Sequence, residues 1–418
     1  MSERQASARR EVPRDVPRRL AVVFFTSAFP TRADGGADAV LARRARALAA
    51  HAEVCVVVPT PWAPGWLARL VPRWRSYAET PPRLTVMGLE TFYPRYVQMP
   101  GRWFVPIAPL AMALGSVWRL WQLRRAGRLD IVYSQATLPD GLAGAILAKV
   151  LGVAAACLAR GTDVNEMGRR TAVGRWLTRL TVRWSAGAAA VAHELVAAML
   201  EVVPWMRNSV VLYDGIDLSA FRPGASEMAR RRLHLDTPGG LILFVGRVVS
   251  GKGLHDLLRA FRDVRAQKPG AVLALVGDGS LRTELQRLAA TLGIDDATIF
   301  AGDRPYGEIP LWMQAADVLA LPSESEGFPN VVREALACGR PVVVTPVGDV
   351  PRVVTPSNGR LVPVGDVPAL AAALLEVMAT RFDLERIRAT VKDATWERNA
   401  QETLVFLEAA FWRSRASR

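Results

Sequence analysis

The segment Asp317–Pro346, DVLALPSESEGFPNVVREALACGRPVVVTP, contains the alternation of elements that decides the fold. Its first apolar run predicts a buried strand that ends at Pro322, and PVVVTP at its end predicts another. Between the two, Gly327 permits a turn and Pro329 favours the start of a helix. We predict that Asn330 caps this helix. A strand, a helix and a second strand in this order are typical of a parallel sheet.

The same alternation extends along most of the chain and predicts an α/β protein with two doubly wound, Rossmann-like halves. In the first half the predicted strands are LAVVFFTSAFP, EVCVVVP, DIVYSQA, VAAACLAR and AGAAAVAH. In the second half they are LILFVGR, GAVLALVGDG, ATIFAG, DVLALPS and PVVVTP.

The turn-rich segment Val211–Gly224 marks the joint between the halves. We predict a basic flexible arm over residues 1–19, a first domain over 20–207 and a second domain over 208–394. The final helix, residues 395–418, is expected to pack back on the first domain.

Composition narrows the class of protein. Half of the residues are hydrophobic, which is enough for two cores and excludes a disordered chain. The three cysteines are scattered and odd in number, so we expect a reducing, cytoplasmic compartment. The four histidines are also scattered, and no metal site is predicted from them.

The formal net charge of +14 indicates which kinds of partner the protein can bind, and it gives no information about the fold. Nucleic acid, an anionic membrane surface and phosphate-bearing substrates all fit it. The arginine-rich arm either touches anionic lipid or is a solvated tail without a role. Because no recognition motif for nucleic acid is found, nucleic acid is not an expected partner.

Two apolar stretches resemble membrane spans. Phe104–Trp121 is interrupted by two prolines and by Arg119, and Gly141–Ala159 by Lys149. We predict an amphipathic or buried helix from the first, and a helix followed by a strand from the second. A one-sided contact of the first helix with the inner face of the membrane is compatible with its sequence.

A cationic loop follows the strand LILFVGR. That strand ends at Gly246, and Arg247 and Lys252 lie in the loop that opens the next helix. Two cations beside a helix N-terminus can bind a diphosphate. The spacing is not that of a P-loop, and by itself the pattern fits a solvated loop better than a diphosphate site.

Two carboxylates, Glu326 and Glu334, bracket the turn of the opening segment. Such a pair can accept hydrogen bonds from vicinal hydroxyls of a sugar and of a ribose. Free N–H groups around Phe328 to Val331 can hold the phosphate between them. The alternative is that both acids only favour the helix N-terminus or face water.

Together these motifs resemble the retaining, nucleotide-sugar-dependent glycosyltransferases of family 4. The resemblance covers nearly the whole chain and includes a glutamate pair separated by seven residues. It implies the GT-B architecture, in which two Rossmann-like domains face a cleft. The motifs that carry it are FPTRADGGAD, PDGLAG, RGTDVN, YDGIDLSAFRP, LFVGRVVSGKGLHDLLRAF, LVGDGSLRTELQ, IFAGD, LPSESEGFPNVVREALACGRPVVVTPVGDVP and TWE.

The resemblance also implies roles. Arg247 and Lys252 would grip the donor diphosphate and stabilise the leaving nucleoside diphosphate. Glu326 would touch the transferred sugar, and Glu334 would accept hydrogen bonds from the ribose. The remaining donor-binding positions that it implies are Gly35, Gly36, Gln135, Asp163, Gly246, Arg304, Gly327, Phe328, Pro329, Asn330 and Val331.

The chain departs from the family pattern at the histidines. Tyr133 and Gln135 stand where relatives carry His-x-His facing the donor, and Arg160 replaces another histidine. A histidine-based role is therefore in doubt at these positions, although Gln135 can still donate and accept hydrogen bonds. His193, where relatives often have serine, is expected to be a wall residue of the site.

The implied reaction is transfer of a sugar, with retention, from a nucleoside-diphosphate sugar to a glycan or lipid-linked acceptor in cell-surface polysaccharide synthesis. UDP is the expected nucleotide, and no cofactor or metal is expected. The alternatives are a nucleotide-sugar-binding protein without transferase activity and a GT-B epimerase or hydrolase. A dinucleotide dehydrogenase is disfavoured because VGDGSL lacks one glycine of the G-x-G-x-x-G motif.

Overall fold

The computed structural model describes residues 19–30, 39–62, 72–99, 104, 106–207, 209–235 and 237–416. They form two compact units. Unit one comprises the described residues up to Ala190, together with Ala198–Leu212 and the chain from Ala400 onward. Unit two comprises Val191–Ala197 and Tyr213–Asn399.

Unit one contains an eight-stranded sheet in the order β10-β9-β8-β7-β1-β2-β5-β4, and a separate pair, β3 and β6. Its strands are β1 Ala21–Phe25, β2 Glu53–Val57, β3 Thr60–Pro61, β4 Arg83–Val86, β5 Leu89–Phe92, β6 Arg95–Tyr96, β7 Ile131–Ser134, β8 Ala154–Ala159, β9 Gly187–Ala190 and β10 Val210–Val211. The connecting helices are α1 Ala39–Ala49, α2 Pro72–Glu79, α3 Ala108–Arg125, α4 Leu142–Leu151 and α5 Ala172–Trp184.

All pairs of the large sheet of unit one are parallel except β4 with β5. These two strands form a hairpin at the sheet edge, which the sequence did not reveal to us. Its two-residue turn has positive φ at both Met87 and Gly88, as a primed turn requires. A methionine in that conformation gives no recognisable turn signature, which explains the omission.

The C-terminal helix, Trp396–Ala416, contributes to unit one from Ala400 onward. Phe406 is buried and packs so close to Gly187 that a methyl group there would lie 2.9 Å from its ring. Arg413 Nε donates a hydrogen bond of 2.9 Å to the carbonyl of Ala186. The small residue at the start of β9 thus admits the helix against the sheet.

Unit two contains a six-stranded, wholly parallel sheet in the order β13-β12-β11-β14-β15-β16. The helix α6 His193–Val202 begins in this unit. The strands are β11 Leu241–Val245, β12 Val272–Val276, β13 Thr298–Gly302, β14 Val318–Leu321, β15 Val342–Val344 and β16 Gly359–Leu361, and the helices are α7 Ser226–Arg232, α8 Leu254–Gln267, α9 Arg282–Thr291, α10 Ile309–Ala315, α11 Asn330–Ala337, α12 Val367–Ala379 and α13 Leu384–Ala389.

This strand order is that of a dinucleotide-binding Rossmann fold, and the order reverses between β11 and β14. Both strands are fully apolar and almost entirely buried. The predicted pair of doubly wound α/β halves is confirmed. In sheets of this kind, ligands bind beyond the carboxyl ends of the strands at the point of reversal.

The two span-like stretches fold as predicted. Gly141–Ala159 contains α4 and then β8, and Phe104–Trp121 contains most of α3. Within the described residues, no helix combines the length and the apolar composition that a membrane crossing needs.

Candidate active site

The loops after β11 and β14 are fastened to each other at the point where the strand order reverses. Gly253 has φ +65°, and a Cβ atom there would lie 1.9 Å from the carbonyl oxygen of Pro322. Glu324 N–H donates a hydrogen bond of 2.9 Å to the carbonyl of Gly251. Only glycine permits this approach, so the GKG sequence brings the cationic loop onto the acidic one.

Lys252 and Glu326 meet where these loops join. Lys252 Nζ lies 2.5 Å from Glu326 Oε1, and the hydroxyl of Ser323 donates to the same oxygen at 2.8 Å. Their side chains are 21% and 14% exposed, respectively. The structure therefore brings together two of the three residues for which a catalytic role was predicted.

The other predicted cations, Arg247 and Arg304, form no hydrogen bond or ion pair with Lys252 or Glu326. Arg247 follows Gly246 at the end of β11 and is exposed, and its side chain has no hydrogen-bond or ion-pair partner among the described residues. Arg304 is also exposed, in the loop after β13, two strands away from β11. Arg247 lies in the same loop as Lys252. Arg304 lies in a different loop, at the same edge of the sheet.

The loop Glu326–Val331 leads into α11, and here the capping prediction was wrong. Pro329 occupies the N-cap position and Asn330 is the first helical residue. The Asn330 side chain instead accepts a hydrogen bond of 2.5 Å from Arg333 one turn later. Arg333 is buried and also donates to the carbonyl of Asp214, so this buried guanidinium draws the amide away from the helix end.

The start of α11 presents unused hydrogen-bond donors. The N–H groups of Phe328, Asn330 and Val331 have no acceptor among the residues that the structure describes. Such groups carry partial positive charge and attract anions at a helix N-terminus. Gly327, Pro329 and these three residues form one continuous backbone segment beside Glu326.

Glu334 lies on α11 and is nearly buried, with 9% exposure. Its Oε1 atom accepts a hydrogen bond of 3.0 Å from the hydroxyl of Tyr306. The Tyr306 ring packs edge-on against Phe221 with the ring centroids 5.4 Å apart. The sequence analysis missed Tyr306, which begins a short 3₁₀ helix, because a tyrosine there has no fixed spacing from the acid that it contacts.

Two residues that hold His193, the expected wall residue, were also missed: Asp349 and Tyr213. Asp349 Oδ2 accepts hydrogen bonds from the backbone N–H of His193 at 2.7 Å and from the Tyr213 hydroxyl at 2.7 Å, and it lies 3.0 Å from His193 Nδ1. Burial alone would raise the pKa of the Asp349 carboxyl, but these hydrogen bonds hold the pKa below its ordinary value. Asp349 belongs to the VGDVP motif quoted above, which was the only signal for it.

Asp163 is buried in unit one and uses its carboxylate to hold backbone. Its two oxygens accept hydrogen bonds from the N–H groups of Thr137, Arg160 and Gly161 at 2.5, 3.0 and 2.8 Å. The carboxylate therefore ties together the segments that follow β7 and β8. Its predicted contact with the donor stays a prediction.

The two residues at the substituted histidine positions are both buried. Tyr133 lies within β7, and its hydroxyl accepts a hydrogen bond of 3.2 Å from Arg44, which is itself fully buried. Tyr133 is therefore a core residue of unit one. Gln135 follows the strand at 1% exposure and donates its backbone N–H to Phe25. Gly35 and Gly36 lie outside the described residues.

In the part of the chain that the structure describes, no cluster of three or more His, Cys, Asp or Glu side chains is placed to bind one metal ion. The metal-free mechanism stays a prediction.

Residues 34–220 match the family described as Glycosyltransferase Family 4, and residues 226–394 match the family described as Glycosyl transferases group 1. The chain belongs to the family 4, group 1 glycosyltransferases. The resemblance to glycosyltransferase family 4 that the sequence motifs carry is confirmed.

Relatives of this glycosyltransferase carry names of the same class. It is 33% identical to D-inositol 3-phosphate glycosyltransferase of Acidothermus cellulolyticus over 67% of this chain and 66% of the relative. It is 34% identical to 2-deoxystreptamine N-acetyl-D-glucosaminyltransferase of Streptomyces fradiae over 65% of this chain and 67% of the relative. It thus spans about two thirds of the length of these relatives. The putative teichuronic acid biosynthesis glycosyltransferase TuaC of Bacillus subtilis is 27% identical over 88% of this chain and 90% of the relative.

Solved structures agree on the fold of this glycosyltransferase. Sucrose-phosphate synthase from Thermosynechococcus elongatus superposes with a TM-score of 0.71 at 21% identity, over 96% of this chain and all of that one. HepE of Anabaena, in complex with UDP and glucose, superposes with a TM-score of 0.62 at 21% identity, over 95% of this chain and 98% of that one. The fold class is GT-B, with two Rossmann-like domains.

Proposed function

We propose that this glycosyltransferase moves a sugar from a nucleoside-diphosphate sugar to a glycan or lipid-linked acceptor, with retention at the anomeric carbon. The observation that carries the proposal is the meeting of Lys252, Glu326 and the free N–H groups of Phe328, Asn330 and Val331 beside the reversal of the strand order. A cation, a carboxylate and a set of N–H donors together suit a phosphate joined to a hydroxyl-bearing ring.

The proposed chemistry uses the cations on the leaving group. When the bond between the sugar and the diphosphate breaks, negative charge develops on the phosphate oxygen. Lys252 and Arg247 would stabilise that charge, and the N–H donors at the start of α11 would bind the diphosphate without rearranging. Glu326, when it exchanges Lys252 for the substrate, would accept hydrogen bonds from hydroxyls of the transferred sugar.

Glu334 is proposed to bind the ribose. The Tyr306 hydroxyl donates a hydrogen bond of 3.0 Å to the Glu334 Oε1 atom, and an ionised carboxylate only accepts hydrogen bonds, as ribose hydroxyls require. Tyr306 is fixed by Phe221, so the carboxylate is held in one orientation. Such an oriented acid suits a vicinal pair of hydroxyls better than a mobile one, because less rotational freedom is lost when the ligand binds.

UDP is the proposed nucleotide, and cell-surface polysaccharide synthesis is the proposed role. The structure of HepE contains UDP and glucose, and TuaC is named for teichuronic acid biosynthesis. We further propose that no metal ion or cofactor takes part, since Lys252 and Arg247 supply the positive charge that a bound metal ion would otherwise give. Asp163, Gln135, Gly35 and Gly36 are also proposed as donor-binding residues.

A peripheral contact with the anionic inner face of the cytoplasmic membrane is also proposed, through α3. Ile107, just before the helix, and Leu110, Leu114 and Trp118 on it are 46%, 50%, 67% and 62% exposed. Their spacing of three and four residues places them along one side of a helix. Trp118 stacks on Trp121 at 4.6 Å, and basic residues follow at the end of α3. Aromatic and aliphatic side chains beside arginines suit the surface of an anionic bilayer.

The experiment that tests the proposed function is a thermal-shift screen of nucleoside diphosphates and nucleotide sugars. A ligand that binds only the native state raises the melting temperature. We expect at least one nucleotide sugar to raise it in the wild type and to lose most of this effect in Lys252→Ala. The absence of a shift with every compound would contradict the proposal.

A further inference from the structure

His193, Tyr213 and Asp349 form a hydrogen-bonded cluster that is buried at Asp349 and exposed at His193. The side chain of Asp349 is 3% exposed, whereas that of His193 is 45% exposed. Tyr213 and His193 both approach Asp349 Oδ2, at 2.7 and 3.0 Å. The cluster thus anchors one end of an imidazole and leaves the other end accessible.

The hydrogen bonds determine which ring nitrogen is accessible. An ionised carboxylate only accepts hydrogen bonds, and the pKa of Asp349 is below its ordinary value. Nδ1 of His193 therefore carries a proton and donates it within the cluster. Nε2 has no partner among the described residues and is the ring nitrogen that can meet a ligand.

The cluster is built against the loop that presents the free N–H groups. Asp349 N–H donates a hydrogen bond of 3.0 Å to the carbonyl of Gly327. A methyl group at Gly348 would lie 2.3 Å from the carbonyl oxygen of Glu326. The Tyr213 and Phe328 ring centroids are 4.7 Å apart. His193 is thus held next to the segment that the proposed function assigns to the donor phosphates.

A purely structural role explains the cluster less well. The backbone N–H of His193 already donates to Asp349 and fixes the start of α6. This bond would form with almost any residue at position 193, so it does not require an imidazole. Arg352 Nε also lies 3.4 Å from Asp349 Oδ1, which gives the carboxylate a cationic neighbour without His193. The imidazole ring of His193 is therefore not needed to hold the loop in place.

We propose that His193 is a donor-binding residue whose Nε2 contacts the diphosphate of the nucleoside-diphosphate sugar, and that Asp349 and Tyr213 are its positioning residues. This inference rests on the proposed function. A phosphate fits better than a sugar hydroxyl because His193 also stands at the N-terminus of a ten-residue helix, where anions are favoured. Donation from Nε2 to a phosphate oxygen, in addition to donation from Nδ1 to Asp349, requires a proton on each ring nitrogen.

The test measures the affinity for UDP, GDP and ADP by titration calorimetry, and uses the tightest of the three as the probe. His193→Asn keeps an amide near the position of Nδ1 but has no atom at Nε2. His193→Gln extends an amide toward the position of Nε2. We expect His193→Asn to weaken binding of the probe about tenfold and His193→Gln to recover most of the loss, as for a charge-assisted hydrogen bond.

A coupling measurement tests the positioning residues. Tyr213→Phe keeps the ring against Phe328 but removes the hydroxyl. We expect Tyr213→Phe to weaken binding of the probe a few-fold in the wild-type protein and to cause no further loss in the His193→Asn variant. The reason is that the effects of substitutions within one hydrogen-bonded network are not additive. Both variants should melt at the wild-type temperature without ligand.

Several outcomes would overturn the inference. Unchanged affinity in His193→Asn would do so, as would equal losses in His193→Asn and His193→Gln with a lowered melting temperature. A loss seen with the nucleotide sugar but not with the diphosphate would remove the phosphate assignment. Lys252→Ala separates the two proposals: if it weakens the probe and His193→Asn does not, only the inference about His193 fails. If none of the three nucleotides binds the wild type, the proposed function fails with it.

Discussion

Lys252 Nζ lies 2.5 Å from Glu326 Oε1, and this ion pair joins the loops after β11 and β14, 74 residues apart in the chain. Each partner satisfies the charge of the other while both remain partly accessible. A diphosphate that approaches Lys252 must compete with Glu326, and a sugar hydroxyl that approaches Glu326 must compete with Lys252. The pair therefore couples the two proposed contacts of the donor.

Removal of either partner should slow transfer. We predict that Lys252→Ala and Glu326→Ala each reduce the rate of sugar transfer at least about tenfold, which corresponds to ~1.4 kcal/mol in the barrier. Lys392→Ala, at an exposed lysine elsewhere in unit two, is the matched control and should leave the rate unchanged. Wild-type rates in both site variants, measured with the true substrates, would remove the catalytic assignment.

Chelation should have no effect on transfer. The proposed mechanism stabilises the leaving group with Lys252 and Arg247, so we predict the same rate before and after dialysis against EDTA. The measurement is the initial rate with and without added Mg²⁺. Activity that disappears with EDTA and returns with Mg²⁺ would contradict the metal-free proposal.

The junction of the two loops should depend on Gly253. A Cβ atom there would meet the Pro322 carbonyl at 1.9 Å, whereas a Cβ atom at Gly251 would meet nothing within 4 Å. Both glycines have positive φ, so each alanine variant carries a similar backbone strain of roughly 1–2 kcal/mol. We predict that Gly253→Ala lowers the free energy of unfolding by clearly more than Gly251→Ala in urea titrations. Equal losses would show that the loops are free to separate.

The buried carboxyl of Asp140 predicts a pH dependence of stability. Burial raises the pKa of Asp140 to about 6, although its carboxylate accepts a hydrogen bond from Ser27 N–H. A raised pKa means that the folded chain binds this proton more tightly than the unfolded chain does. The resulting stabilisation is complete below the unfolded pKa of about 4 and is lost as the pH rises through 6.

Asp140→Asn should remove this dependence. The free energy of unfolding of the variant, relative to the wild type, should increase between pH 4 and pH 7 by up to about 3 kcal/mol, at 1.36 kcal/mol for each unit of pKa. Urea unfolding at several pH values measures this difference. A difference that does not change with pH would mean that Asp140 is not protonated in the folded state.

The exposed apolar side of α3 should bind anionic vesicles. We predict that Leu114→Gln combined with Trp118→Gln reduces co-sedimentation with phosphatidylglycerol-containing vesicles several-fold, because buried apolar area contributes about 25 cal/mol per Å². Val405→Gln, at an exposed valine of the C-terminal helix, is the control. Equal binding by all three proteins, or equal binding to neutral vesicles, would contradict the membrane contact.

Much of the fold could be predicted from local patterns. Apolar runs such as DVLALPS mark buried strands because both faces of a parallel sheet are covered, and the lengths between them fit single helices. The edge hairpin of β4 and β5 could not be predicted in this way, since its turn relies on Met87 in a conformation that methionine rarely adopts. The prediction that Asn330 caps α11 was wrong. Arg333, which is buried by the rest of unit two, donates a hydrogen bond to the side-chain oxygen of Asn330 and is a stronger partner than the helix end.

The sequence by itself determined the alternation of strands and helices, the family, and the residue types of the cationic and acidic loops, because these depend on neighbours within one turn or one strand. Only the tertiary structure decided the order of the strands, the pairing of Lys252 with Glu326 and the attachment of His193 to Asp349, 156 residues away. Such contacts form when distant segments pack side by side, and their partners are selected by the geometry of the sheet, which local spacing does not encode.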